Sequence, residues 1–105
     1  MRNETTGGQL DLLVLSVLTG GALHGYGIVS ELRRRSDADL DLAEGTLYPA
    51  LHRLESEGLL TSAWSEDAPR RRRVYRLTKR GDQALEGRRR EWRRFAAAVG
   101  RVVEA

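Results

Sequence analysis

The stretch LLTSAWSEDAPRRRRVYRLT, residues 59–78, decides the predicted fold of this chain. Two short runs within it, at about 59–65 and 71–77, have the composition of β-strands and flank the polar segment SEDAPR. They therefore predict a two-stranded hairpin with a polar tip. Successive side chains of a strand point to opposite faces, so we expect Tyr75 and Leu77 to face the core.

Four consecutive arginines lead into the second predicted strand: Arg70, Arg71, Arg72 and Arg73. Like charges side by side repel each other, and a strand gains no internal stabilisation from them. The run therefore indicates an anionic partner outside the chain. Trp64, on the first strand, is expected to lie in the core rather than to stack on a base.

Helical periodicity predicts three helices before the hairpin. Apolar residues recur at helical spacing in 9–19, where Leu12 and Leu15 add a second apolar face that needs a second neighbour. The segment 24–36 forms the second helix, and 43–60 contains the third.

The third helix has one apolar stripe and one polar face. Leu47, Leu51 and Leu54 share the stripe at helical spacing. His52 and Arg53 point away from it on a helical wheel, so we expect them to face solvent.

The start of the third helix can be interpreted in two ways. With Thr46 as the N-cap, Pro49 would lie in the first turn, where its missing N–H costs nothing. A start near Ala43 would put Pro49 deeper in the helix and bend it. Tyr48 lies on the shoulder of the apolar stripe.

A last helix starts at Thr78 and runs toward the C-terminus. Leu85, Trp92 and Val99 recur every seven residues, and Phe95 lies in the offset row, as in a partial coiled-coil seam. A monomer would expose more contiguous apolar surface than a single soluble chain usually does. The pattern therefore predicts a homodimer with two-fold symmetry.

Three helices, a β-hairpin and a further helix are the elements of a winged helix-turn-helix followed by a C-terminal dimerisation helix, a mainly α fold. We expect a flexible arm at 1–8, a winged-helix DNA-binding domain at 9–78 and the dimerisation helix at 79–105. In such a domain the third helix enters the major groove and the hairpin lies on the phosphate backbone, which supplies the anion for the arginine run. Arg88, which interrupts the seam, is expected to reach solvent or to pair with an acid.

The charge distribution agrees with a nucleic-acid partner. Residues 1–68 carry five arginines and eleven acids, a net charge of −6, whereas residues 69–105 carry thirteen basic residues and four acids, a net charge of +9. A localised basic surface is the electrostatic footprint of nucleic-acid binding. A solvated helix face with a soluble loop would give the same pattern.

The absence of several residue patterns limits the possible functions. The chain has no cysteine, which excludes disulfides, thiolate nucleophiles and cysteine-ligated zinc. No Ser/His/Asp set, phosphate-binding glycine loop or metal-ligand spacing stands out, so we expect no enzyme activity, cofactor or metal. His24, before the Gly-Tyr-Gly of the second helix, is expected to have a capping or turn role. Without a membrane-span-length apolar run or an evident signal peptide, a cytoplasmic protein is expected.

The sequence resembles the PadR-type transcriptional regulators over about residues 9–95. The resemblance is carried by LHGYGI (23–28), EGTLYPALHRLESEGLL (44–60), and Trp64 followed by PRRRRVYRLTKRG (69–81). It implies a homodimeric winged-helix repressor whose C-terminal helix makes much of the dimer interface, with a contribution from the first helix. It also implies, as in some members, a small apolar or aromatic ligand that binds near the dimer axis and weakens DNA binding.

The expected sites follow from the helix faces, the arginine run and this resemblance. The expected DNA-binding residues are Thr46, Tyr48, His52, Arg53, Arg70, Arg71, Arg72 and Arg73. The residues expected at a dimer interface or ligand pocket are Leu12, Leu15, Leu85, Trp92, Phe95 and Val99. The expected partner is double-stranded DNA with a near-palindromic operator. We expect the third helix to read its sequence and the hairpin to supply most of the affinity.

Two other functions are compatible with the same fold. A winged helix can serve as a protein-interaction module without a DNA role, but such a module has no need for Arg70–Arg73. A sequence-tolerant DNA binder is the other alternative. The ratio of specific to non-specific affinity separates it from a regulator.

Overall fold

The computed structural model describes residues 3–66 and 71–105, with side chains from Gly8 onward. The elements in chain order are α1 (Asn3–Val17), β1 (Leu23–His24), α2 (Gly25–Arg35), α3 (Glu44–Ser56), β2 (Leu60–Trp64), β3 (Arg73–Leu77) and α4 (Lys79–Val103). A short 3-10 turn, Leu18–Gly20, follows α1 directly. This order confirms the predicted mainly helical fold with a small hairpin.

The small sheet has three antiparallel strands in the order β1–β3–β2. The hairpin of β2 and β3, called the wing from here on, pairs Leu60 with Leu77 at its base and Trp64 with Arg73 toward its tip. The two-residue strand β1, which no sequence pattern indicated, pairs with β3 at Tyr75 and Val74. The wing is therefore tied to the chain immediately before α2.

The core forms where apolar residues of α1, α2 and α3 meet Leu60 and Tyr75 of the wing. Leu47, Leu51 and Leu54 are fully buried, which confirms the apolar stripe predicted for α3. Tyr75 is buried as predicted, and Leu77 is half-buried against the core. Burying one leucine side chain contributes roughly 1.5–3 kcal/mol, so this stripe fixes which face of α3 points outward.

The first helix begins earlier than the periodicity predicted. It starts at Asn3 rather than near Gln9, so the predicted start of the first helix is wrong, and residues 3–8 are helical. The segment NETTGG has no apolar periodicity, and periodicity was the signal that placed the start. The wider division of the chain into functional units stays a prediction.

The third helix follows the second of the two interpretations. It begins at Glu44, and its N-cap Ala43 makes no side-chain hydrogen bond, so Thr46 is not the cap. Pro49 therefore lies inside the helix. A helix interior normally excludes proline because the ring removes one backbone hydrogen bond.

Thr78 joins the wing to α4 and caps that helix. Its Oγ1 accepts a hydrogen bond from the Gly81 amide at 3.0 Å and donates one to the Gly58 carbonyl oxygen at 2.6 Å. Gly58 has a φ of +81°, which glycine adopts without steric cost. A Cβ at Gly81 would collide with the Leu59 carbonyl oxygen, so glycine allows α4 to start directly against the backbone that follows α3.

Most of α4 lies at the surface. Gly81 and Leu85 are its buried residues, and no residue from Glu86 to Ala105 is buried. The helix has 25 residues, a length of about 37 Å at roughly 1.5 Å per residue. The described chain measures 54 × 29 × 23 Å, so the helix accounts for much of its long dimension.

Candidate nucleic-acid interface

The outward face of α3 presents Thr46, Tyr48 and His52 to solvent. The ring of Tyr48 packs against Gly25, where a Cβ would overlap the phenol hydroxyl. This glycine of the LHGYGI segment therefore lets Tyr48 lie across the start of α2 with 36% of its surface exposed. The predicted exposure of the three side chains is confirmed, and their contact with DNA stays a prediction.

Arg53, the one arginine of α3, does not extend freely into solvent. Its Nη1 and Nη2 donate to the two carboxylate oxygens of Asp11 at 2.9 and 2.6 Å. Arg88 Nη1 donates to the same carboxylate at 2.8 Å, which confirms that Arg88 pairs with an acid. The Asp11–Arg53–Arg88 cluster joins α1, α3 and α4, and a DNA contact by Arg53 stays a prediction that this geometry does not favour.

The carboxylate of Asp11 is the buried centre of this cluster, with 7% of its side chain exposed. Burial raises the pKa of the Asp11 carboxyl, but the hydrogen bonds from Arg53 and Arg88 outweigh burial, so this pKa lies below its usual value. The hydrogen bond to Asp11 raises the pKa of the Arg53 guanidinium. Both pKa shifts favour the charged forms of Asp11 and Arg53.

Trp64 lies at the surface of the wing, so its predicted burial in the core is wrong. The strand β2 runs from buried Leu60 into solvent, and half of the Trp64 surface, 50%, is exposed. The guanidinium carbons of Arg71 and Arg73 lie 5.1 and 5.2 Å from the centroid of its ring. Both contacts have the geometry of cation–π interactions, which hold an arginine without cancelling its charge.

Arg73 also connects the wing to α3. Its Nε donates to Ser62 Oγ at 2.9 Å, and the Ser62 hydroxyl donates to Glu55 Oε2 of α3 at 2.6 Å. The wing and α3 are therefore fixed relative to each other through side chains as well as through the core.

Arg72 lies near the start of α2. Its Nη1 is 2.9 Å from Nε2 of His24. His24 is the N-cap of α2, and its Nδ1 accepts a hydrogen bond from the Gly27 amide at 3.1 Å. The predicted capping role of His24 is confirmed.

Arg71, Arg72 and Arg73 differ from Arg53 in that none of them has a carboxylate partner among the described residues, 3–66 and 71–105. All three are exposed. Arg70, the first arginine of the predicted run, lies outside the described residues.

Two of the residues predicted for a dimer interface or ligand pocket lie in the chain's own core. Leu15 and Leu85 are 0 and 1% exposed, so they have no surface to offer a second molecule and this part of the prediction is wrong. The core of the single chain already covers them. Leu12 is half-buried against the same core.

The remaining members of that set lie along the C-terminal part of α4. Trp92 and Val99 are 44 and 40% exposed, and Phe95 is half-buried. The rings of Trp92 and Phe95 are 6.2 Å apart at an angle of 45°. With the exposed Val102 and Val103, they form the α4 apolar stripe.

Other kinds of site have little support in the part of the chain that the structure describes. None of its histidine, cysteine and acidic side chains form a group of three or more that could hold a metal ion. None of its helices is long and apolar enough to cross a membrane. A shallow, open groove between the end of α3 and α4 is lined by Glu57, Leu59, Arg80, Gln83, Ala84 and Arg88.

The fold and this surface define a class of protein. Three helices, a wing after the third, an exposed third-helix face and a cationic wing are the features of winged helix-turn-helix DNA-binding proteins. Residues 14–87 match the transcriptional regulator PadR-like family. The chain belongs to this family, whose members are transcriptional regulators and not enzymes.

Similar proteins agree with this assignment. The transcriptional regulator Rv3488 of Mycobacterium tuberculosis is 40% identical over 88 residues, which cover 84% of this chain and 79% of that protein. The transcriptional regulator Cth-833 of Clostridium thermocellum has a TM-score of 0.86 at 30% identity, and the match covers 98% of both chains. Bacillus subtilis PadR, solved in complex with operator DNA, has a TM-score of 0.67 at 28% identity, covering 74% of this chain and 45% of that chain. The predicted family and winged-helix fold are confirmed.

Proposed function

We propose that this PadR-family regulator acts in the cytoplasm as a homodimer that binds a near-palindromic operator and represses transcription. α3 enters the major groove, where Thr46, Tyr48 and His52 contact base edges. The arginines of the run Arg70–Arg73 contact phosphates from the wing. Arg53 serves instead to hold α3 in place through Asp11.

The observation that carries the DNA role is the combination of an exposed α3 face with arginines that have no carboxylate partner among the described residues. Side chains with an uncompensated positive charge on one edge of a protein attract a polyanion. Bacillus subtilis PadR, which shares the fold, was solved on operator DNA. A protein-interaction module would gain nothing from such a wing.

Footprinting on the DNA upstream of the protein's own gene locates the operator. Fluorescence anisotropy then gives the affinity for this operator and for random duplex at several salt concentrations. We expect Tyr48→Ala and His52→Ala to lose discrimination between the two DNAs, at roughly 1–3 kcal/mol per good base contact. Arg90→Ala, which removes an exposed arginine of α4, is the control.

Each other outcome has a definite meaning. If the two α3 variants lose affinity equally for operator and random DNA, the side chains position the helix and do not read bases. Equal affinity of the wild-type protein for both DNAs would identify a sequence-tolerant binder. No binding of any duplex at low salt would leave the protein-interaction module as the function.

The proposed dimer is supported by the α4 apolar stripe. Trp92, Val99, Val102 and Val103 are between 40 and 80% exposed, on the surface part of one helix. Two-fold symmetry would cover this stripe with its own copy. It would also place two recognition helices on successive turns of the major groove, with half-site centres about 10 bp, or a multiple of that, apart.

Sedimentation velocity at micromolar concentration tests the dimer. We expect a wild-type dimer and a monomeric Trp92→Asp variant, because the substitution would bury an unpaired charge in the interface. Arg90→Asp, two residues away on the opposite side of the helix, should stay dimeric. A monomeric wild-type protein, or a dimeric Trp92→Asp variant, would remove the support for the palindrome.

Release of the DNA by a small apolar or aromatic effector is also part of the proposal. Trp92 and Phe95 lie 6.2 Å apart on one helix, and a two-fold axis nearby would bring four such rings together. A slot between aromatic rings suits a flat apolar molecule. The dye anilinonaphthalene sulfonate is a suitable probe. It should bind the wild-type dimer, bind Phe95→Ala more weakly, and lower the affinity for operator; binding without an effect on DNA would exclude regulation at this slot.

A further inference from the structure

The imidazole of His24 has a hydrogen-bond donor at each of its two nitrogens. The Gly27 amide lies 3.1 Å from Nδ1, and Arg72 Nη1 lies 2.9 Å from Nε2. A neutral imidazole has one N–H and one acceptor nitrogen, and a guanidinium can only donate. Only one of the two contacts can therefore be a hydrogen bond, and the other brings two donors together. A doubly protonated ring would make both contacts donor to donor.

The helix cap decides which nitrogen accepts. Gly27 lies in the first turn of α2, where an amide has no acceptor within the helix. His24 has the extended backbone of an N-cap residue, with φ −82° and ψ 170°, and its Nδ1 accepts from that amide. In the neutral ring Nε2 then carries the hydrogen and points at Arg72 as a donor.

Two donors that converge at 2.9 Å need an acceptor that both can share. The charge of Arg72 specifies an anionic one, because no described carboxylate pairs with this arginine. We propose that His24 Nε2–H and the Arg72 guanidinium together bind one phosphate group of the DNA backbone. The proposal rests on the DNA role of the wing and adds His24, on a separate element, to that interface.

The surroundings of this pair fit a backbone phosphate. His24 pairs with Val74 of β3, which places it beside the wing. Tyr26 stacks parallel to the His24 ring with centroids 6.4 Å apart, and 63% of its surface is exposed. The pair thus lies beside the wing, next to an exposed aromatic ring. The pairing of β1 with β3 brings the cap of α2 to Arg72.

A double-mutant cycle on DNA affinity tests the shared phosphate. His24→Asn keeps an acceptor for the Gly27 amide, since asparagine is a good N-cap, but has no donor in the place of Nε2. Arg72→Gln removes the charge and should flatten the dependence of log K on log salt by about 0.9. Both single variants should bind operator and random duplex several-fold more weakly. Because they share one phosphate, the double variant should lose much less than the product of the two single losses.

The matched control repeats the cycle with the neighbouring Arg71 in place of Arg72. Arg71 lies on the Trp64 ring and not at His24, so the losses of His24→Asn and Arg71→Gln should multiply. If His24→Asn and Arg72→Gln also multiply, the two residues do not share a phosphate and the proposal is wrong. Thermal unfolding of His24→Asn checks that the cap is preserved.

The tautomer gives a second test that needs no DNA. Long-range ¹H–¹⁵N correlation of the neutral His24 ring in the free protein should show the hydrogen on Nε2. A hydrogen on Nδ1 would make the Arg72 contact an ordinary hydrogen bond to Nε2, and no anion would be required. That result would overturn the proposal whatever the DNA affinities are.

Titrating the His24 ring signals with duplex DNA and with inorganic phosphate separates the sources of the anion. A shift with DNA alone assigns the site to the DNA backbone. A shift with inorganic phosphate while no duplex binds would keep the anion site and refute the proposed DNA function. An unchanged His24 signal in a protein that does bind DNA would refute this inference and leave the proposed function intact.

Discussion

Arg53 of α3 and the arginines of the wing carry the same charge but contact different kinds of side chain. Arg53 donates with two nitrogens to the buried carboxylate of Asp11. Arg71 and Arg73 lie instead against the indole of Trp64. The carboxylate neutralises the arginine that it holds, whereas the aromatic ring holds its two arginines and leaves their charges available.

The group that an arginine contacts determines whether its charge is available to an external anion. Arg53, Arg71 and Arg73 are all exposed, and the sequence predicts a DNA contact for each of them. In α3 the cation is neutralised inside the domain, and Glu44, Glu55 and Glu57 lie in or beside the same helix. The exposed face of α3 therefore contributes mainly neutral polar groups, and the wing contributes the positive charge. In the proposed function, sequence reading and affinity thus come from different elements.

The largest expected effect comes from removing the acid that holds Arg53. Asp11→Asn leaves two arginines facing each other without their anion. Removing one partner of a buried ion pair costs about 3–5 kcal/mol of the free energy of unfolding, and we expect the low end here because Arg53 and Arg88 keep 45 and 29% of their side chains exposed. This is a large part of the roughly 5–15 kcal/mol of a small domain. Urea unfolding measures the loss. The control Glu86→Gln, which breaks the exposed pair with Arg89, should change the free energy of unfolding by less than about 0.5 kcal/mol.

If Asp11→Asn lowered the free energy of unfolding by less than about 1 kcal/mol, the contrast between a firmly held Arg53 and the available wing arginines would be wrong. Such a small loss would mean that the cluster is worth no more than a surface pair. Arg53 could then leave Asp11 for DNA at little cost, and the prediction that it reads bases would regain support.

The difference in free energy of unfolding between wild type and Asp11→Asn should also depend on pH, with a sign that the pKa of Asp11 determines. The pKa of the Asp11 carboxyl lies below its usual value because hydrogen bonds from Arg53 and Arg88 outweigh its burial. Asp11 thus stabilises the fold above its unfolded pKa of about 3.9, and this contribution is lost as the pH falls through the lower folded pKa. The difference in free energy of unfolding between wild type and Asp11→Asn should be constant near neutral pH and should shrink below about pH 4.

Glu31 also affects the stability at low pH, but it does not affect the difference between wild type and Asp11→Asn. Hydrogen bonds from Arg34 and Arg35 lower the pKa of Glu31 to about 2, so its contribution is also lost on acidification. Glu31 is present in both proteins, and the subtraction removes it. A difference that stays constant down to the acid transition would show that Asp11 is not the titrating group.

Stability and the salt dependence of DNA binding should respond in opposite ways to variants of Arg53 and Arg71. Arg53→Gln should lower the free energy of unfolding by about 2 kcal/mol, less than Asp11→Asn because Arg88 still faces the carboxylate. It should leave the salt dependence of DNA binding unchanged. Arg71→Gln should leave stability within about 0.5 kcal/mol and flatten the salt slope by about 0.9. A flatter slope in Arg53→Gln would place that arginine on phosphate after all.

Local periodicity predicted most of the fold, but neither the strand β1 nor the early start of α1. The spacing of Leu47, Leu51 and Leu54 fixed the inner face of α3, and alternation in β3 fixed the burial of Tyr75. The string that follows, Thr78 to Gly81, caps α4 through contacts within four residues. Such features depend on neighbours in sequence, and sequence patterns report them directly.

The partners of the candidate site could not be predicted in the same way. Asp11 and Arg53 are 42 residues apart, and they meet only when α1 and α3 pack. Periodicity also places Leu85 and Trp92 in one seam without showing that the domain's own core covers the first and not the second. It aligned Trp64 with the buried side of a strand that extends beyond the core. A pattern identifies residues that share a face, and tertiary packing decides what covers that face.

The smallest expected effect concerns the ring that holds the wing arginines. An exposed cation–π contact is worth about 0.5–1 kcal/mol, so Trp64→Ala should weaken DNA binding about fivefold, equally for operator and random duplex. Trp64→Phe, which keeps an aromatic face, should recover part of the loss. The salt slope should not change, because every arginine keeps its charge; in Arg71→Gln it should fall.

Fluorescence anisotropy at several salt concentrations separates this positioning role from two others. If Trp64→Ala alters the preference for operator over random DNA, the indole touches bases instead of organising arginines. If it lowers the free energy of unfolding by several kcal/mol, the ring belongs to the core as the strand pattern first suggested, although half of its surface is exposed. A small loss of DNA affinity, equal for operator and random duplex and with an unchanged salt slope, is expected only if the uncharged ring holds Arg71 and Arg73 in place for an external anion. Asp11 cannot do the same for Arg53, because a carboxylate that orders an arginine also neutralises it.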